Sequence, residues 1–260
     1  MIHAFYAEAK TLRNRLREIL KQDRVALGMT VTIGHPLVTD ILGGIGFDFI
    51  NFDLQHSPLS IESALSMMQA MSFSETTPII RVPWNEFGII NSALDIGAHG
   101  IIIPFVNTKE DVLKAVQYAM YPPRGMRSFG PVRASLRDPE YAETCDDEIL
   151  ILPQIETQEG LDNVEEILSV EKIEAFFVGP YDLSRSLGVW KQWNHPKFED
   201  AIQRILKAAE STGTIPGMLA PIEEIEKTVK RGFKLISIGR DVGFLKQAAS
   251  SELQKARKNL

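Results

Sequence analysis

Blocks of apolar and polar residues alternate regularly along the chain. Short β-branched or aromatic runs end in polar or glycine-rich turns, and stretches with apolar residues at helical spacing follow them. Eight such units can be counted. The predicted strands are Val25–Val31, Asp48–Phe52, Pro78–Val82, Gly100–Phe105, Ile149–Ile155, Ala175–Val178, Ile215–Leu219 and Leu235–Ile238. The predicted helices include Ile61–Met71, Thr108–Ala119, Gly160–Leu168, Lys197–Ser211, Glu223–Arg231 and Gly243–Lys258.

Several predicted strands are apolar throughout, which indicates burial on both faces. The runs that begin at Gly100, Ile149 and Ala175 are typical of a parallel sheet covered by helices. Eight β/α units in about 235 residues, after an N-terminal helix, predict an α/β fold: a (β/α)8 TIM barrel with an additional N-terminal helix. No linker rich in Gly, Ser or Pro interrupts the pattern, so residues 1–260 are predicted to form a single domain.

Composition and motif content exclude several classes of protein. The longest apolar runs, such as Ile101–Val106, are far shorter than the roughly 18 residues of a membrane helix. The net charge is −6 and no basic stripe occurs, so neither a membrane nor a nucleic acid is an expected partner. Cys145 is the single cysteine and the N-terminal segment carries frequent charges, which predicts a cytoplasmic protein. Dinucleotide-binding, P-loop and nucleophile-elbow motifs are absent from the sequence.

Polar residues cluster where the predicted strands end, which is the end of a barrel that carries the active site. Gln154 and Glu156 are two residues apart on one strand, so both side chains are expected to face the barrel interior. The candidates selected by this rule are Asp53, His56, Arg81, Gln154, Glu156, Gly179, Pro180, Tyr181 and Asp182.

Two of these candidates are carboxylates that follow adjacent strands. Glu156 and Asp182, together with water and substrate oxygens, would suit a small divalent cation such as Mg²⁺ or Mn²⁺. Each carboxylate also has a structural interpretation as a helix cap, Glu156 before the segment 157–159 and Asp182 within the segment 180–184. Their joint position at neighbouring strand ends favours the metal site.

His56 and Arg81 have both structural and catalytic interpretations. A loop histidine is commonly solvated, but its position after Asp53 favours a general base whose tautomer a carboxylate holds. A guanidinium at the end of an apolar strand needs an anionic or oxygen partner, which is either substrate or a structural ion pair with Asp53 or Asp95.

The segment Gly179-Pro180-Tyr181-Asp182 predicts a strand that turns sharply into a helix. Proline near the first turn leaves free backbone N–H groups at the helix start, and such groups favour a bound carboxylate. A substrate 2-oxo acid is therefore expected to bind here.

The motifs are specific enough to identify a resemblance. The chain resembles the HpcH/HpaI aldolases, which are metal-dependent class II pyruvate aldolases, over nearly its whole length. The resemblance rests on FDLQH (52–56), IIRVPWNE (79–86), ALDIGAHGIIIPFV (93–106), YPPRGMRSFG (121–130), PQIET (153–157), EAFFVGPYDLSRSLG (174–188), NHP (194–196) and LISIGRD (235–241).

The resemblance implies a reversible cleavage of a 4-hydroxy-2-oxo acid to pyruvate and an aldehyde. It implies that Glu156 and Asp182 bind a divalent cation, Mg²⁺ or Mn²⁺ with Co²⁺ as a further candidate, and that Gln154 holds the surrounding shell. It also implies that Arg81 contacts the oxo group and that His56 transfers a proton.

Three further implications concern the neighbourhood of that site. Asp53 belongs to the histidine motif, and Asp95 matches an aspartate that supports the base, from the same chain or from a neighbouring subunit. A homo-oligomer, commonly a hexamer, is implied. Leu54-Gln55 replaces the Gly-Glu that is frequent among relatives, which leaves the aldehyde partner open.

Three rival hypotheses remain at this stage. A class I aldolase needs a desolvated lysine on an inward strand position, but only Lys234 falls near a predicted strand, at its entry. A CoA-ester lyase of the citramalyl or malyl type would share the metal carboxylates and would need a basic surface for the nucleotide phosphates. A non-catalytic barrel that binds a 2-oxo acid would not need Arg81 and His56 together with both carboxylates.

Overall fold

A computed structural model describes residues 13–260 and contains a closed barrel of eight parallel strands. Consecutive strands are neighbours, and β8 pairs with β1 to close the ring. The predicted TIM barrel is confirmed. The strands are β1 (Ala26–Val31), β2 (Phe49–Asp53), β3 (Thr77–Arg81), β4 (Gly100–Ile103), β5 (Leu150–Ile155), β6 (Ala175–Val178), β7 (Ile215–Leu219) and β8 (Leu235–Arg240).

Helices connect the strands along the outside of the barrel, and one helix precedes β1 as predicted. A 3₁₀ turn at Ile222–Glu224 leads into the twelfth α-helix. The α-helices of the described residues are α1 (Arg15–Lys21), α2 (Pro36–Gly43), α3 (Ile61–Ala70), α4 (Phe87–Asp95), α5 (Lys109–Ala119), α6 (Val132–Arg137), α7 (Tyr141–Glu148), α8 (Gln158–Asp162), α9 (Val164–Leu168), α10 (Pro180–Ser186), α11 (Pro196–Thr212), α12 (Ile225–Lys230) and α13 (Asp241–Lys258).

The largest differences between the predicted and the observed strands are at carboxyl ends. β4 stops at Ile103 because Pro104 has no N–H for the ladder and Phe105 adopts a φ of 51°. β8 runs on to Arg240, two residues beyond its predicted end. The helix predicted over Gly160–Leu168 is wrong as a single element, since Asn163 separates α8 from α9.

The barrel interior is closed at its N-terminal end by α1. Leu16, Ile19 and Leu20 are buried in one apolar cluster with inward strand residues such as Phe49 and Leu152. A second and larger cluster fills the space between the strands and the outer helices. Because α1 fills the lower end, the interior of the barrel formed by residues 13–260 opens to substrate at the carboxyl ends of the strands.

Asn14 fixes α1 to the barrel. Its fully buried amide donates to the carbonyls of His99 at 2.7 Å and Glu148 at 2.8 Å, and its Oδ1 accepts from the N–H of Arg17 as a helix cap. The Asn14 side chain therefore joins the helix to the segments that enter β4 and β5. Within residues 13–260, none of the helices is both long and apolar enough to cross a membrane.

We expect Asn14→Ala to lower the free energy of unfolding by about 2–4 kcal/mol, because it removes a helix cap and the two hydrogen bonds from the buried amide to the carbonyls of His99 and Glu148. Urea denaturation measures this loss. Asn259→Ala, at the exposed end of α13, is the control and should change stability by no more than about 0.5 kcal/mol. Equal stabilities for the two variants would contradict the role given to Asn14.

Candidate active site

A cavity of about 530 Å³ lies at the carboxyl ends of the strands. In a TIM barrel this is the end where the active site lies. The predicted site residues that line the cavity are His56, Arg81, Gln154, Gly179, Pro180, Tyr181 and Asp182.

A larger cleft, of about 970 Å³, lies at the other end of the barrel. It is lined by residues that begin or precede strands, such as Thr77 and His99, together with Arg133 from α6. Residues at that end of a barrel generally serve stability. The smaller cavity, which is lined by Asp182, His56 and Arg81, is therefore the candidate active site.

Asp53 and Arg81 form a buried ion pair below the cavity. They are partners in the ladder of β2 and β3, and their side chains join through Nε to Oδ1 at 2.9 Å and Nη2 to Oδ2 at 2.6 Å. Burial opposes the charge of Asp53, which is 0% exposed, but the hydrogen bonds and charge of Arg81 hold the pKa of that carboxyl below its ordinary value. Of the two structural partners that the sequence allowed for Arg81, Asp53 is the one present.

His56 lies at the cavity with an exposed side chain, in the turn that follows β2. The backbone N–H groups of Gln55 and His56 donate to Asp53 Oδ1 at 3.1 and 3.2 Å. The sequence predicted that a carboxylate would hold the imidazole itself. Instead, Asp53 orients the main chain of the turn that carries His56, because Arg81 and the two N–H groups occupy the carboxylate.

Glu156 lies beneath the cavity, next to Gln154 as predicted. Its Oε1 accepts from the N–H of Phe105 at 2.8 Å, and its Oε2 accepts from Gln154 Nε2. Burial raises the pKa of the Glu156 carboxyl to about 7, and the negative charge of Asp182 acts in the same direction, against the two hydrogen bonds. The carboxylate form of Glu156 is therefore costly unless a cation stands nearby.

Gly179 allows the backbone after β6 to pass directly over these two side chains. A Cβ at this position would lie 2.7 Å from Glu156 Cβ and 2.8 Å from Gln154 Nε2. Only a residue without a side chain fits this close approach. The turn then enters α10, whose first turn brings Asp182 to the cavity.

The donors suit a hard divalent cation that keeps part of its water shell. Mg²⁺ is commonly held by one or two carboxylates and several waters, and Glu156 and Asp182 supply two carboxylates at neighbouring strand ends. Residues 13–260 contain no group of three or more His, Cys, Asp and Glu side chains placed to hold a metal. A cage made wholly of protein ligands, such as a structural zinc site, is therefore not present in this part of the chain.

Aromatic residues surround the outer part of the cavity. The ring of Tyr181 lies 5.3 Å from that of Trp193 and 6.0 Å from that of Trp190, and Trp190 lines the cavity. Lys191 lies beside them, with its ammonium 4.9 Å from the centre of the Trp190 ring.

Asp95 is the predicted site residue that the chain does not bring to the cavity. It is the last residue of α4, and its Oδ1 accepts from Arg127 Nη2 at 2.7 Å. A helix that starts above the carboxyl end of one strand must end near the amino end of the next, so Asp95 lies at the opposite end of its own barrel.

Sequence reasoning did not single out Lys191 or Arg240, both of which line the cavity. Arg240 lies two residues beyond the predicted end of β8, so its nearness to a strand end was the available signal. Lys191 lies in a loop and its side chain is exposed, which is unlike the desolvated lysine of a Schiff-base enzyme. None of the eight strands, all of which lie within residues 13–260, contains a lysine.

Comparison with known proteins gives consistent matches over most of the chain. The family model described as HpcH/HpaI aldolase/citrate lyase matches residues 27–248. A 5-keto-4-deoxy-D-glucarate aldolase from Citrobacter koseri is 35% identical over 245 residues, which are 90% of this chain and 93% of the relative.

Two solved structures of the same family share the architecture. A family protein from Burkholderia cenocepacia has a TM-score of 0.89 at 28% identity, with 94% of this chain and 99% of that one covered. The HpcH/HpaI aldolase from Desulfitobacterium hafniense has a TM-score of 0.87 at 25% identity, with 93% and 96% covered.

These matches confirm the resemblance to the HpcH/HpaI aldolases. They also support the prediction that the protein is a carbon–carbon lyase. The matched region includes both carboxylates, Gln154, Arg81 and His56. The chain belongs to the HpcH/HpaI aldolase/citrate lyase family.

Proposed function

We propose that the protein is a class II aldolase that cleaves a 4-hydroxy-2-oxo acid reversibly to pyruvate and an aldehyde. The observation that carries the proposal is the placement of the Arg81 guanidinium, the His56 imidazole and the Asp182 carboxylate around one cavity at the barrel mouth, with the buried carboxylate of Glu156 beneath it. The 35% identity to a 5-keto-4-deoxy-D-glucarate aldolase supports an aldolase rather than a CoA-ester lyase.

The reaction moves one proton and one electron pair. Removal of the proton from the 4-hydroxyl lets the C3–C4 bond break, so that C4 leaves as the aldehyde carbon. The electron pair passes to the pyruvate fragment as an enolate, which takes a proton at C3 to become pyruvate. His56, whose ring is exposed at the cavity, is proposed to exchange the 4-hydroxyl proton. Such proton transfer is worth about 10²- to 10⁴-fold in rate.

Arg81 is proposed to contact the oxo oxygen of the pyruvate fragment. Asp53 occupies its Nε and Nη2, and within residues 13–260 its Nη1 makes no hydrogen bond. The buried pair holds the guanidinium in one orientation before substrate arrives. A donor fixed in this way can stabilise the negative charge that develops on the oxygen without reorganising during the reaction.

Glu156 and Asp182 are proposed to hold the divalent cation, Mg²⁺ or Mn²⁺ with Co²⁺ as a further candidate. When bound, such an ion acts as a Lewis acid that stabilises negative charge on the enolate. Gln154 would position the oxygen ligands that complete the shell. The turn Gly179-Pro180-Tyr181 would bind the substrate carboxylate through the N–H of Tyr181, because proline has no N–H and the N–H of Gly179 donates to Ile155 at 3.0 Å.

We further propose a cytoplasmic homo-oligomer, with a hexamer as the expected form. The free Cys145 is buried, which suits a reducing compartment. Much of α13 is exposed in the single chain, including Val242, Leu245 and Leu253, and an apolar helix face of this kind is suited to contact between subunits.

We expect Arg81→Ala to reduce kcat/KM for pyruvate release by about 10³-fold, because it removes a fixed charge at the developing oxyanion. The same change leaves Asp53 buried without its partner, so stability should fall by about 3–5 kcal/mol. The two effects are measured by a coupled pyruvate assay and by urea denaturation.

The double variant Asp53→Asn, Arg81→Met separates these effects, since it removes both charges of the buried pair. It should regain most of the lost stability while remaining inactive. A double variant with substantial activity would remove Arg81 from its catalytic role.

Removal of divalent cations with EDTA should reduce pyruvate release by at least about 10²-fold, and added Mg²⁺ or Mn²⁺ should restore it. Glu156→Gln should stay inactive after metal addition, because a neutral amide binds a hard cation weakly. Glu159→Gln, an exposed position three residues further along the chain, is the matched control and should behave as wild type. Full activity of the EDTA-treated enzyme would contradict the metal-dependent mechanism.

A further inference from the structure

Strand β8 carries a bulge close to the cavity. In its pairing with β1, Gly28 lies opposite Ser237 and Thr30 lies opposite Arg240, so two steps along β1 match three steps along β8. Gly239 lies within the bulge and has a φ of 155°, a conformation that L side chains rarely adopt. The bulge therefore shifts Arg240, the last residue of β8, by one position relative to β1.

This shift changes the direction of the Arg240 side chain. Ser237 faces the cavity, so regular alternation would place Gly239 on the same face and turn Arg240 outward. The bulge instead sets Arg240 opposite Thr30, and both residues line the cavity. Bulges beside active sites commonly redirect a side chain in this way.

The chain on both sides of Arg240 is fixed. A Cβ at Gly239 would lie 2.9 Å from the ring of Phe244, which packs against the bulge from α13. Asp241 accepts hydrogen bonds from the N–H groups of Thr32 at 2.9 Å and Ile33 at 2.8 Å. Arg240 is therefore held at the cavity between two anchored neighbours.

Two positive side chains at the cavity lack an ion-pair partner in the part of the chain that the structure describes. Asp53 neutralises Arg81, but within residues 13–260 neither Arg240 nor Lys191 forms an ion pair. Arg240 is half-buried and Lys191 is exposed beside Trp190. A half-buried guanidinium without an ion-pair partner is suited to an anionic ligand, and its geometry matches both oxygens of a carboxylate.

We propose that Arg240, assisted by Lys191, binds a carboxylate on the aldehyde fragment of the substrate. The preferred substrates are then 4-hydroxy-2-oxo acids with a second carboxylate at the far end of the molecule. The inference rests on the proposed aldolase function. In that site Arg81 and the start of α10 serve the pyruvate half, which leaves Arg240 for the other half.

The test compares two acceptors for pyruvate in the direction of aldol addition. Tartronate semialdehyde and lactaldehyde are matched, since a carboxylate in the first replaces a methyl group in the second. The wild type should prefer tartronate semialdehyde in kcat/KM. Arg240→Gln should lower the ratio of the two kcat/KM values by at least about tenfold, mainly through the KM for tartronate semialdehyde.

Three further variants sharpen the comparison. Arg240→Lys keeps the charge and should retain part of the preference, and Lys191→Met should lower the ratio by less than Arg240→Gln does. Arg257→Gln, at the exposed end of α13, is the control and should leave both acceptors unchanged.

The possible results are distinguishable. An Arg240→Gln variant that loses activity equally with both acceptors, or that keeps the wild-type ratio, would overturn the inference, and so would a wild type without preference. A wild type that makes no product from pyruvate with either aldehyde, in the presence of Mg²⁺ or Mn²⁺, would contradict the aldolase function itself.

Discussion

The burial of one carboxylate is the constraint on which the proposed chemistry of this barrel depends. Glu156 is 1% exposed, lies against the backbone at Gly179 and has Asp182 as a neighbouring acid. Burial raises the pKa of Glu156 to about 7, so its ionised form needs compensation that its two hydrogen-bond donors supply only in part. A divalent cation, which we propose that Glu156 and Asp182 hold, would provide that compensation and would stabilise negative charge on the enolate. The cost of burying Glu156 would then be linked to catalysis.

Asp53 holds both Arg81 and the turn that carries His56 at the cavity. The Asp53 and Arg81 pair is neutral as a unit, which lets a guanidinium stay at a buried position with a fixed direction. Asp53 also binds the main chain of the turn that carries His56. The proposed cation site, guanidinium and base thus lie on separate parts of the barrel: the ends of β5 and β6, the β2–β3 pair and the turn after β2.

The sequence predicted the strands well because an apolar run buried on both faces has few alternatives. The bounds of Ala175–Val178 and Ile215–Leu219 match the structure. It could not predict the bulge, because the pairing of β8 with β1 depends on the packing of Gly239 against Phe244 rather than on local pattern. The same dependence on packing explains why Arg240 was not among the predicted site residues. The sequence allowed Asp53 or Asp95 as the structural partner of Arg81, and the register of β2 and β3 shows that the partner is Asp53.

The central claim is that Glu156 and Asp182 hold a divalent cation beside the pyruvate fragment. A crystal structure of the protein with Mn²⁺ and pyruvate tests it most directly, because Mn²⁺ is located by its anomalous scattering. The account predicts an anomalous peak in contact with both carboxylates, with the oxo group of pyruvate between the ion and Arg81. A structure in which Mn²⁺ binds elsewhere while pyruvate occupies the cavity would contradict it.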